Sequence, residues 1–186
     1  MIRQRTVVGS RHLVDQGDIL CDVELVEYAV EAKGVLEVAK IVFPLVVVLT
    51  QTCDVREDYA LRWGKSNKGT PRKAMLSYLA APLYNAAQLI EGSHLRDLDI
   101  EIKKIDSSTE KSSMRNNAHP RYHFLAFGDD IPIADSLVDF KHYFTASPAH
   151  LRERKQNAFL CRLDVPHREC LSHRFAAWLS RVGLPD

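Results

Sequence analysis

A cysteine and an aspartate follow directly on the most apolar run of the sequence. The run Val46-Val47-Val48-Leu49 predicts a buried strand, and the polar segment Gln51-Thr52-Cys53-Asp54 comes next. A thiol becomes an effective nucleophile when a neighbouring base removes its proton. Cys53 is therefore a candidate nucleophile and Asp54 a candidate site carboxylate. The alternative is that Cys53 is a small buried apolar residue and that Asp54 caps the following turn.

Two histidines that could act as this base lie close together in the segment 117–124, NAHPRYHF. His119 or His123 could accept the proton of the thiol, and a carboxylate at Asp54 or Asp139 could orient the imidazole ring. This constellation would be typical of a cysteine-dependent hydrolase.

The same segment carries a second candidate chemistry. On a predicted strand from Arg121 to Phe127, Arg121 and His123 share one face while Tyr122 points to the other. A guanidinium and an imidazole on one face suit the cleavage of a phosphate ester, which needs a charge stabiliser and a proton carrier. The alternative is an exposed strand face with Tyr122 in the core.

A basic segment with interleaved aromatic residues follows the cysteine. Residues 54–73 are charged and rich in Gly, Ser and Asn, which predicts an exposed loop. Basic side chains neutralise phosphates and aromatic rings stack on unpaired bases. The candidate nucleic-acid-binding residues are Arg56, Arg62, Trp63, Lys65, Arg72 and Lys73. The alternative is a solvated loop with one packed tryptophan.

Other polar residues point to structure more than to chemistry. Cys161, His167, Cys170 and His173 have the spacing C-x5-H-x2-C-x2-H, which matches no common structural zinc pattern. His142 lies on an apolar face and is expected to be a core histidine. We therefore expect no metal and no other cofactor.

The composition excludes several classes of protein. The chain has 186 residues, 46% of them hydrophobic, and a net charge of +1. These values predict one globular domain, 1–186, without a global field that would attract nucleic acid or a membrane. Four cysteines without a CxxC pair, and an N-terminus without a long apolar segment, favour free thiols and a cytoplasmic location without membrane contact.

The order of predicted elements indicates a mainly β, α+β protein. A strand after Gly17-Asp18 and a second strand after the turn Lys33-Gly34 form a hairpin. Further strands are expected near Phe43–Leu49, Met75–Ala80 and at the segments 121–127, 136–145 and 159–163. A short helix or turn is expected at Ser147-Pro148. The apolar spacing of Leu171, Phe175, Trp178, Leu179 and Val182 predicts a C-terminal helix.

The stretch 85–125 interrupts this series of strands and is interpreted as an insertion. It begins with a helical pattern that Gly92 ends, and it continues with a pattern that fits a helix or a strand equally. Its residues 106–118 contain one large apolar side chain, Met114, and are expected to form a mobile loop.

This series of motifs resembles the MazF/PemK-like toxin family over roughly the whole chain, apart from the insertion. The shared features are Gly-Asp before a strand, as in Gly17-Asp18, a proline before a valine-rich strand, as at Pro44, and a Pro-Leu pair at Pro82-Leu83. A final strand and helix correspond to Phe159–Leu184. The resemblance implies a small twisted β-barrel of the SH3-like kind, with an inserted segment and a C-terminal helix.

Two positions differ from the members of that family that cleave RNA. Phe43 stands where those members carry an arginine, and Tyr84 stands where they carry a threonine or a serine. Both differences affect the chemistry and leave the fold unchanged. Cleavage by this chain would then use Cys53, Asp54, Arg121 and His123 instead.

The sequence therefore predicts a toxin-like or defence-associated protein that binds RNA and could be an endoribonuclease. The alternatives are a non-catalytic barrel that binds other proteins of a larger system, with an antitoxin-like partner, and a cysteine-dependent hydrolase. The sequence leaves a homodimer open.

Overall fold

The chain forms two compact units, each built from separate stretches of sequence. The computed structural model describes residues 6–7, 11–64 and 71–181. We call Val8–Pro82 together with Phe144–Arg162 the hairpin unit. The remaining chain, Met1–Val7, Leu83–Tyr143 and Leu163–Asp186, is the insert unit. A single domain over the whole chain stays a prediction.

The hairpin unit is built on an antiparallel sheet with the strand order β8-β2-β3-β4-β7. Two helices and one 3-10 turn accompany the sheet. The bounds are β2 Asp18–Ala32, β3 Val35–Val48, α1 Thr52–Trp63, the turn Pro71–Lys73, β4 Tyr78–Asn85, β7 Phe144–Ala146, α4 Pro148–Asn157 and β8 Phe159–Leu163.

The predicted hairpin is confirmed, and it is longer than expected. Lys33 and Gly34 form its turn with φ angles of +54° and +78°, the left-handed values that a tight hairpin turn requires. One continuous β3 replaces the two strands that the sequence predicted, so Pro44 lies inside a strand and not at its start.

Pro44 is tolerated inside β3 because it lies at an interruption of the pairing with β2, opposite Asp22, whose φ is +54°. In an antiparallel pair, alternate residues direct their N–H groups toward the partner strand and away from it. The Glu24 N–H bonds to His150 Nε2 at 3.1 Å, outside the hairpin, and Glu24 lies opposite Val42. Val42 therefore faces away from β2. The pairing of β2 with β3 passes from Cys21↔Leu45 to Val23↔Phe43 and skips Pro44, so its missing N–H removes no pair that the hairpin forms.

The core of the hairpin unit contains the valine run of β3. Val46, Val47 and Val48 are completely buried, as their nearly continuous β-branched pattern predicts. A buried ion network holds neighbouring elements to β2: Asp18 accepts hydrogen bonds from Lys155 Nζ of α4 at 2.8 Å and from Arg162 Nε of β8 at 2.6 Å.

The insert unit combines a short antiparallel sheet with three helices. The second half of β4, Leu83–Asn85, pairs with β6, and β6 pairs with β5. Its core contains Tyr84, Leu89, Met114, Phe124 and Leu137. The bounds are β1 Thr6–Val7, α2 Ala86–Glu91, the 3-10 turn Arg96–Leu98, α3 Ser108–Arg115, β5 Tyr122–Leu125, β6 Ser136–Asp139, the 3-10 turn Phe140–His142 and α5 Val165–Leu179.

The loop predicted at 106–118 is wrong, because this segment contains helix α3. The Ser107 side chain caps the helix by accepting a hydrogen bond from the Glu110 N–H at 3.2 Å. Met114 is fully buried and anchors the helix in the core. The buried Met114 and the Ser107 cap thus accompany a helix whose other residues are polar. The mobility of this segment stays a prediction.

The strand predicted over 136–145 is also wrong in its middle. The strand β6 ends at Asp139, whose side chain caps a 3-10 turn by accepting a hydrogen bond from the Lys141 N–H at 2.9 Å. Residues 140–142 therefore do not continue the strand. Aspartate favours this outcome because its carboxylate competes with the sheet for nearby N–H groups.

The remaining elements agree with the predicted class of a mainly antiparallel β protein with helices. The C-terminal helix is confirmed as α5, with Leu171 and Phe175 buried, while Val182 lies outside the described residues. No helix within 6–7, 11–64 and 71–181 is long and apolar enough to cross a membrane. A cytoplasmic location stays a prediction.

Candidate functional site

The segment around Cys53 begins a helix and does not form a turn. Gln51 is the N-cap of α1, and Cys53 and Asp54 occupy its first turn. Cys53 is exposed, and its Sγ lies 3.6 Å from Asp54 Oδ1 and 3.7 Å from Gln51 Oε1. The polar residues after the valine run are therefore a helix start, where an acidic side chain is favourable.

The basic segment is largely helical and engaged in ion pairs. Residues 54–63 lie in α1, so the prediction of a loop is wrong there, while 65–70, including Lys65, lie outside the described residues. Arg62 Nε binds Asp58 Oδ2 at 2.8 Å, and Asp58 is completely buried. Arg62 therefore serves the packing of α1 and is less available to a phosphate.

The other candidates of this segment have similar partners. Arg56 pairs with Asp15 at 3.3 Å and Lys73 pairs with Glu57 at 2.6 Å, while Arg72 is exposed. The guanidinium of Arg152 lies 4.8 Å from the centre of the Trp63 ring. A nucleic acid would have to compete with these contacts, so binding by this surface stays a prediction.

His123 lies in the interior of the insert unit. Its exposure is 2%, and burial, together with Arg174 and His167, lowers its pKa to about 3. Its ring packs 6.3 Å from that of Phe140. A histidine that stays neutral and is screened from solvent has the properties of a core residue, so we do not include His123 in the site described below.

Arg121 forms an ion pair at the start of β5. Its Nε binds Asp139 Oδ1 at 2.8 Å, and its Nη2 binds the other carboxylate oxygen. Asp139 is 1% exposed and lies opposite Tyr122 in the sheet. This bidentate contact fixes the guanidinium plane and leaves Nη1 outside the ion pair.

A histidine–tyrosine pair lies beside this ion pair. His142 lies in the 3-10 turn after β6, and its Nδ1 is 3.1 Å from the hydroxyl of Tyr84 on β4. Its Nε2 is 3.7 Å from Asp139 Oδ2. The turn that interrupted the predicted strand thus brings His142 between a phenol and a carboxylate.

His94 completes a group of five side chains that we call the histidine cluster. It follows α2, whose end is set by Gly92, a residue with a φ of +78°. Its ring lies 4.7 Å from that of Tyr84 and 6.3 Å from that of His142. Both of its ring nitrogens are buried without a hydrogen-bond partner among the described residues. Most buried polar atoms in folded proteins have a hydrogen-bond partner, so these two nitrogens are unusual and make His94 a candidate site residue. The members are Tyr84, His94, Arg121, Asp139 and His142.

The surroundings of the cluster lower the pKa values of both histidines. Burial lowers the pKa of His142, and the carboxylate of Asp139 partly opposes this effect. Burial also lowers the pKa of His94, and the charge of His142 lowers it further. A proton on His142 therefore makes protonation of His94 less favourable. Burial and Asp139 raise the pKa of Tyr84, which keeps its phenol protonated.

The predicted site residues are divided between the two units. Cys53 and Asp54 belong to the hairpin unit, whereas Arg121 and His123 belong to the insert unit. The histidine cluster retains Arg121 from the predicted set and adds Tyr84, His94, Asp139 and His142. Sequence reasoning considered Asp139 as an orienting carboxylate and His142 as a core residue, but it gave His94 no role. A single histidine in a polar connection carries no periodic signal.

Comparisons with known proteins provide no further guidance. Searches against protein families, curated proteins and solved structures give no match for this chain. Among the residues that the structure describes, there is also no group of three His, Cys, Asp or Glu side chains arranged to hold a metal ion.

Proposed function

We propose that this protein is a toxin-like endoribonuclease that cleaves RNA at the histidine cluster. The observation that carries the proposal is the arrangement of His94 and His142 beside the Arg121–Asp139 ion pair. The antiparallel five-stranded sheet of the hairpin unit supports the further proposal of a MazF/PemK-like, SH3-like barrel. The insert unit, which holds all of 85–125, then contains the inserted segment.

The proposed reaction needs one base, one acid and one positive charge. His94 takes the proton of the ribose 2′-hydroxyl. Its ring nitrogens are buried and have no hydrogen-bond partner among the described residues, so they must become accessible as the RNA binds. The 2′-oxygen forms a bond to phosphorus while the bond from phosphorus to the 5′-oxygen breaks. Protonated His142 donates its proton to the leaving 5′-oxygen, and the products are a 2′,3′-cyclic phosphate and a 5′-hydroxyl. Arg121 stabilises the charge on the phosphate oxygens through Nη1.

The direction of the pKa shifts sets the pH dependence. Activity requires His142 protonated and His94 neutral, and both pKa values are lowered from the usual value of about 6.5. Raising the pH above the pKa of His142 removes the acid, and lowering it below the pKa of His94 removes the base. We therefore expect a bell-shaped rate profile with its maximum below about pH 6.5.

The test uses a labelled single-stranded RNA and the same sequence as DNA. We expect cleavage of the RNA, with cyclic phosphate ends, and no cleavage of the DNA, which lacks the 2′-hydroxyl. His94→Gln and His142→Gln should each lower the rate by about 10²–10⁴, because each removes one proton carrier. His173→Gln on the exposed part of α5 is the matched control and should leave the rate unchanged.

Several results would contradict the proposal. Equal cleavage of RNA and DNA would exclude the 2′-hydroxyl as nucleophile. Full activity in His94→Gln would exclude His94 as the base. Loss of activity in Cys53→Ala would place the chemistry in α1 and favour the cysteine-dependent hydrolase. Absence of cleavage between pH 4 and pH 8 would exclude the proposed activity. It would favour the alternative of a non-catalytic protein-interaction module, which the exposed part of the β2–β3 hairpin supports.

A further inference from the structure

The outer half of the β2–β3 hairpin is covered by no other strand of the described chain. The strand β8 pairs with β2 only at Asp18–Leu20, and β4 pairs with β3 only at Val46–Val48. The two strands nevertheless continue as a pair to Ala32 and Val35. We call residues 22–42 the arm. Its outer strand edges carry backbone groups that no neighbouring strand uses.

The arm exposes apolar side chains on both of its faces. Directly paired residues share a face, so Leu36, Val38 and Val42 lie on one face, and Tyr28, Val30 and Val35 lie on the other. The exposures of Leu36, Val38 and Val42 are 66%, 48% and 46%. Soluble proteins seldom leave so many large apolar side chains exposed on one short element, and such patches mark interaction surfaces.

The edge of β3 is the part of the arm that is free to accept another strand. The outward orientation of Val42 places the N–H groups of Leu36, Val38 and Lys40 on the same outer edge, because every β3 residue from Val35 to Val42 pairs in turn with β2. Pro44, which has no N–H, ends this row toward the base. The edge of β2 is less available, because His150 already accepts the N–H of Glu24.

The net negative charge of the arm favours a basic strand over a second copy of the arm at this edge. The arm holds five carboxylates and two lysines, although the whole chain has a net charge of +1. One of the lysines, Lys40, is already paired with Glu24 at 2.6 Å. A second copy of the arm would place two elements of the same net negative charge side by side, which is unfavourable. A strand with lysine or arginine would be attracted.

We propose that the β3 edge from Leu36 to Val42 binds a partner protein by strand addition, and that the partner segment alternates basic and apolar residues. Main-chain hydrogen bonds to the outward groups of β3 supply affinity, and the apolar side chains pack on Val38 and Val42. The basic side chains lie on the other face, beside Glu37, and are attracted by the net negative charge of the arm. The inference does not depend on RNA cleavage, since it concerns a different surface of the chain.

The test measures the binding of a fluorescent ten-residue peptide of alternating Lys and Val by anisotropy. We expect saturable binding that weakens with added salt, and at least tenfold weaker binding of a Glu–Val peptide. An N-methylated Lys–Val peptide should also bind at least tenfold less tightly, because it cannot form the main-chain bonds.

Two variants at Val38 distinguish an effect on peptide binding at the β3 edge from an effect on folding of the arm. Val38→Pro removes an outward N–H and should weaken binding at least tenfold, whereas Val38→Ala keeps that donor and should change binding less than threefold. The ladder between β2 and β3 should remain intact in both variants, because the N–H of Val38 does not point to β2. Circular dichroism and amide exchange of residues 23–32 would verify this.

Each other outcome overturns the proposal. Equal binding of the Glu–Val peptide, or unchanged binding by Val38→Pro, would exclude recognition by charge or by strand addition. Failure of the Lys–Val peptide to bind at millimolar concentration would exclude the proposed partner chemistry. Concentration-dependent dimers in sedimentation, lost in Val38→Pro, would show that a second copy occupies the edge.

Discussion

At the scale of single residues, burial decides what the titratable groups can do. His123 and His142 carry the same side chain, but His123 packs beside the ring of Phe140 while His142 contacts a phenol and faces a carboxylate. Arg62 and Arg121 likewise pair with buried aspartates, one in a helix and one beside two histidines. The chemistry of each residue type is thus set by its neighbours.

His123 should make the stability of the protein sensitive to acid. Its folded pKa of about 3 lies below the unfolded value of about 6.5, so the unfolded chain binds more protons between these values. The free energy of unfolding should therefore fall as the pH decreases from 6.5 to 3, by an amount on the order of 4 kcal/mol from this group. Above pH 6.5 the group contributes no pH dependence.

The measurement is urea unfolding of the parent protein and of His123→Leu at a series of pH values. We expect the variant to lose a large part of the acid-dependent decrease, whatever its stability at neutral pH. His173→Leu, on the exposed surface of α5, should keep the decrease. A parallel pH dependence in His123→Leu and the parent would mean that carboxylates alone cause the acid sensitivity.

At the scale of elements, the ends of helices position the proposed site. Asn85 begins α2 by accepting hydrogen bonds from Ala87 and Gln88, and Gly92 ends it in a left-handed conformation. Two residues later the chain carries His94. The Asp139 cap similarly forms the turn that carries His142. Short capped elements therefore bring the two histidines together, although neither lies in a regular strand or helix.

Gly92 should be the more sensitive of two glycines with the same backbone conformation. Gly92 and Gly34 both have a φ of +78°, but a Cβ at Gly92 would lie 2.0 Å from the carbonyl oxygen of Ile102, whereas nothing lies within 4 Å of one at Gly34. Gly34→Ala should therefore show only the strain of the left-handed region, about 1–2 kcal/mol. Gly92→Ala should lower the free energy of unfolding by more than this.

Thermal unfolding of the two variants tests this difference. Gly92→Ala should also reduce any cleavage of RNA, since the displaced chain carries His94, whereas Gly34→Ala should leave cleavage unchanged. Equal destabilisation by the two substitutions would mean that the contact with Ile102 relaxes without cost.

At the scale of the whole molecule, one strand belongs to both units. The residues Tyr78–Pro82 of β4 lie in the hairpin unit and Leu83–Asn85 in the insert unit. The first half of β4 pairs with β3 and β7, and the second half with β6. The chain also leaves the hairpin unit at Pro82, returns to it at Phe144 and leaves it again after Arg162.

We expect this chain to unfold in a single cooperative transition, as the prediction of one domain requires. Melting of either unit removes the partners of half of β4, which should destabilise the other half of the same strand. Differential scanning calorimetry should show one peak, with a calorimetric enthalpy equal to the van't Hoff enthalpy. Two peaks, or a calorimetric enthalpy well above the van't Hoff value, would show two independent domains.

The sequence by itself determined the elements whose apolar residues follow a regular period. The valine run of β3, the hairpin turn Lys33-Gly34 and the helix α5 could all be predicted, because burial of one face imposes a pattern that remains visible in the sequence. Elements held by caps were missed or misassigned. The spacing of Ser107 and Glu110 is a capping signature that could have located α3.

Only the tertiary structure decided which polar residues meet. Tyr84, His94 and His142 come from a strand, a connection and a turn that are up to 58 residues apart in the chain. Arg121 was recognised as a candidate, but its pairing with Asp139 depends on the register of β5 and β6. The physical reason is that hydrophobic periodicity constrains which face is buried, whereas the meeting of polar side chains depends on turns and register, which leave no periodic signal.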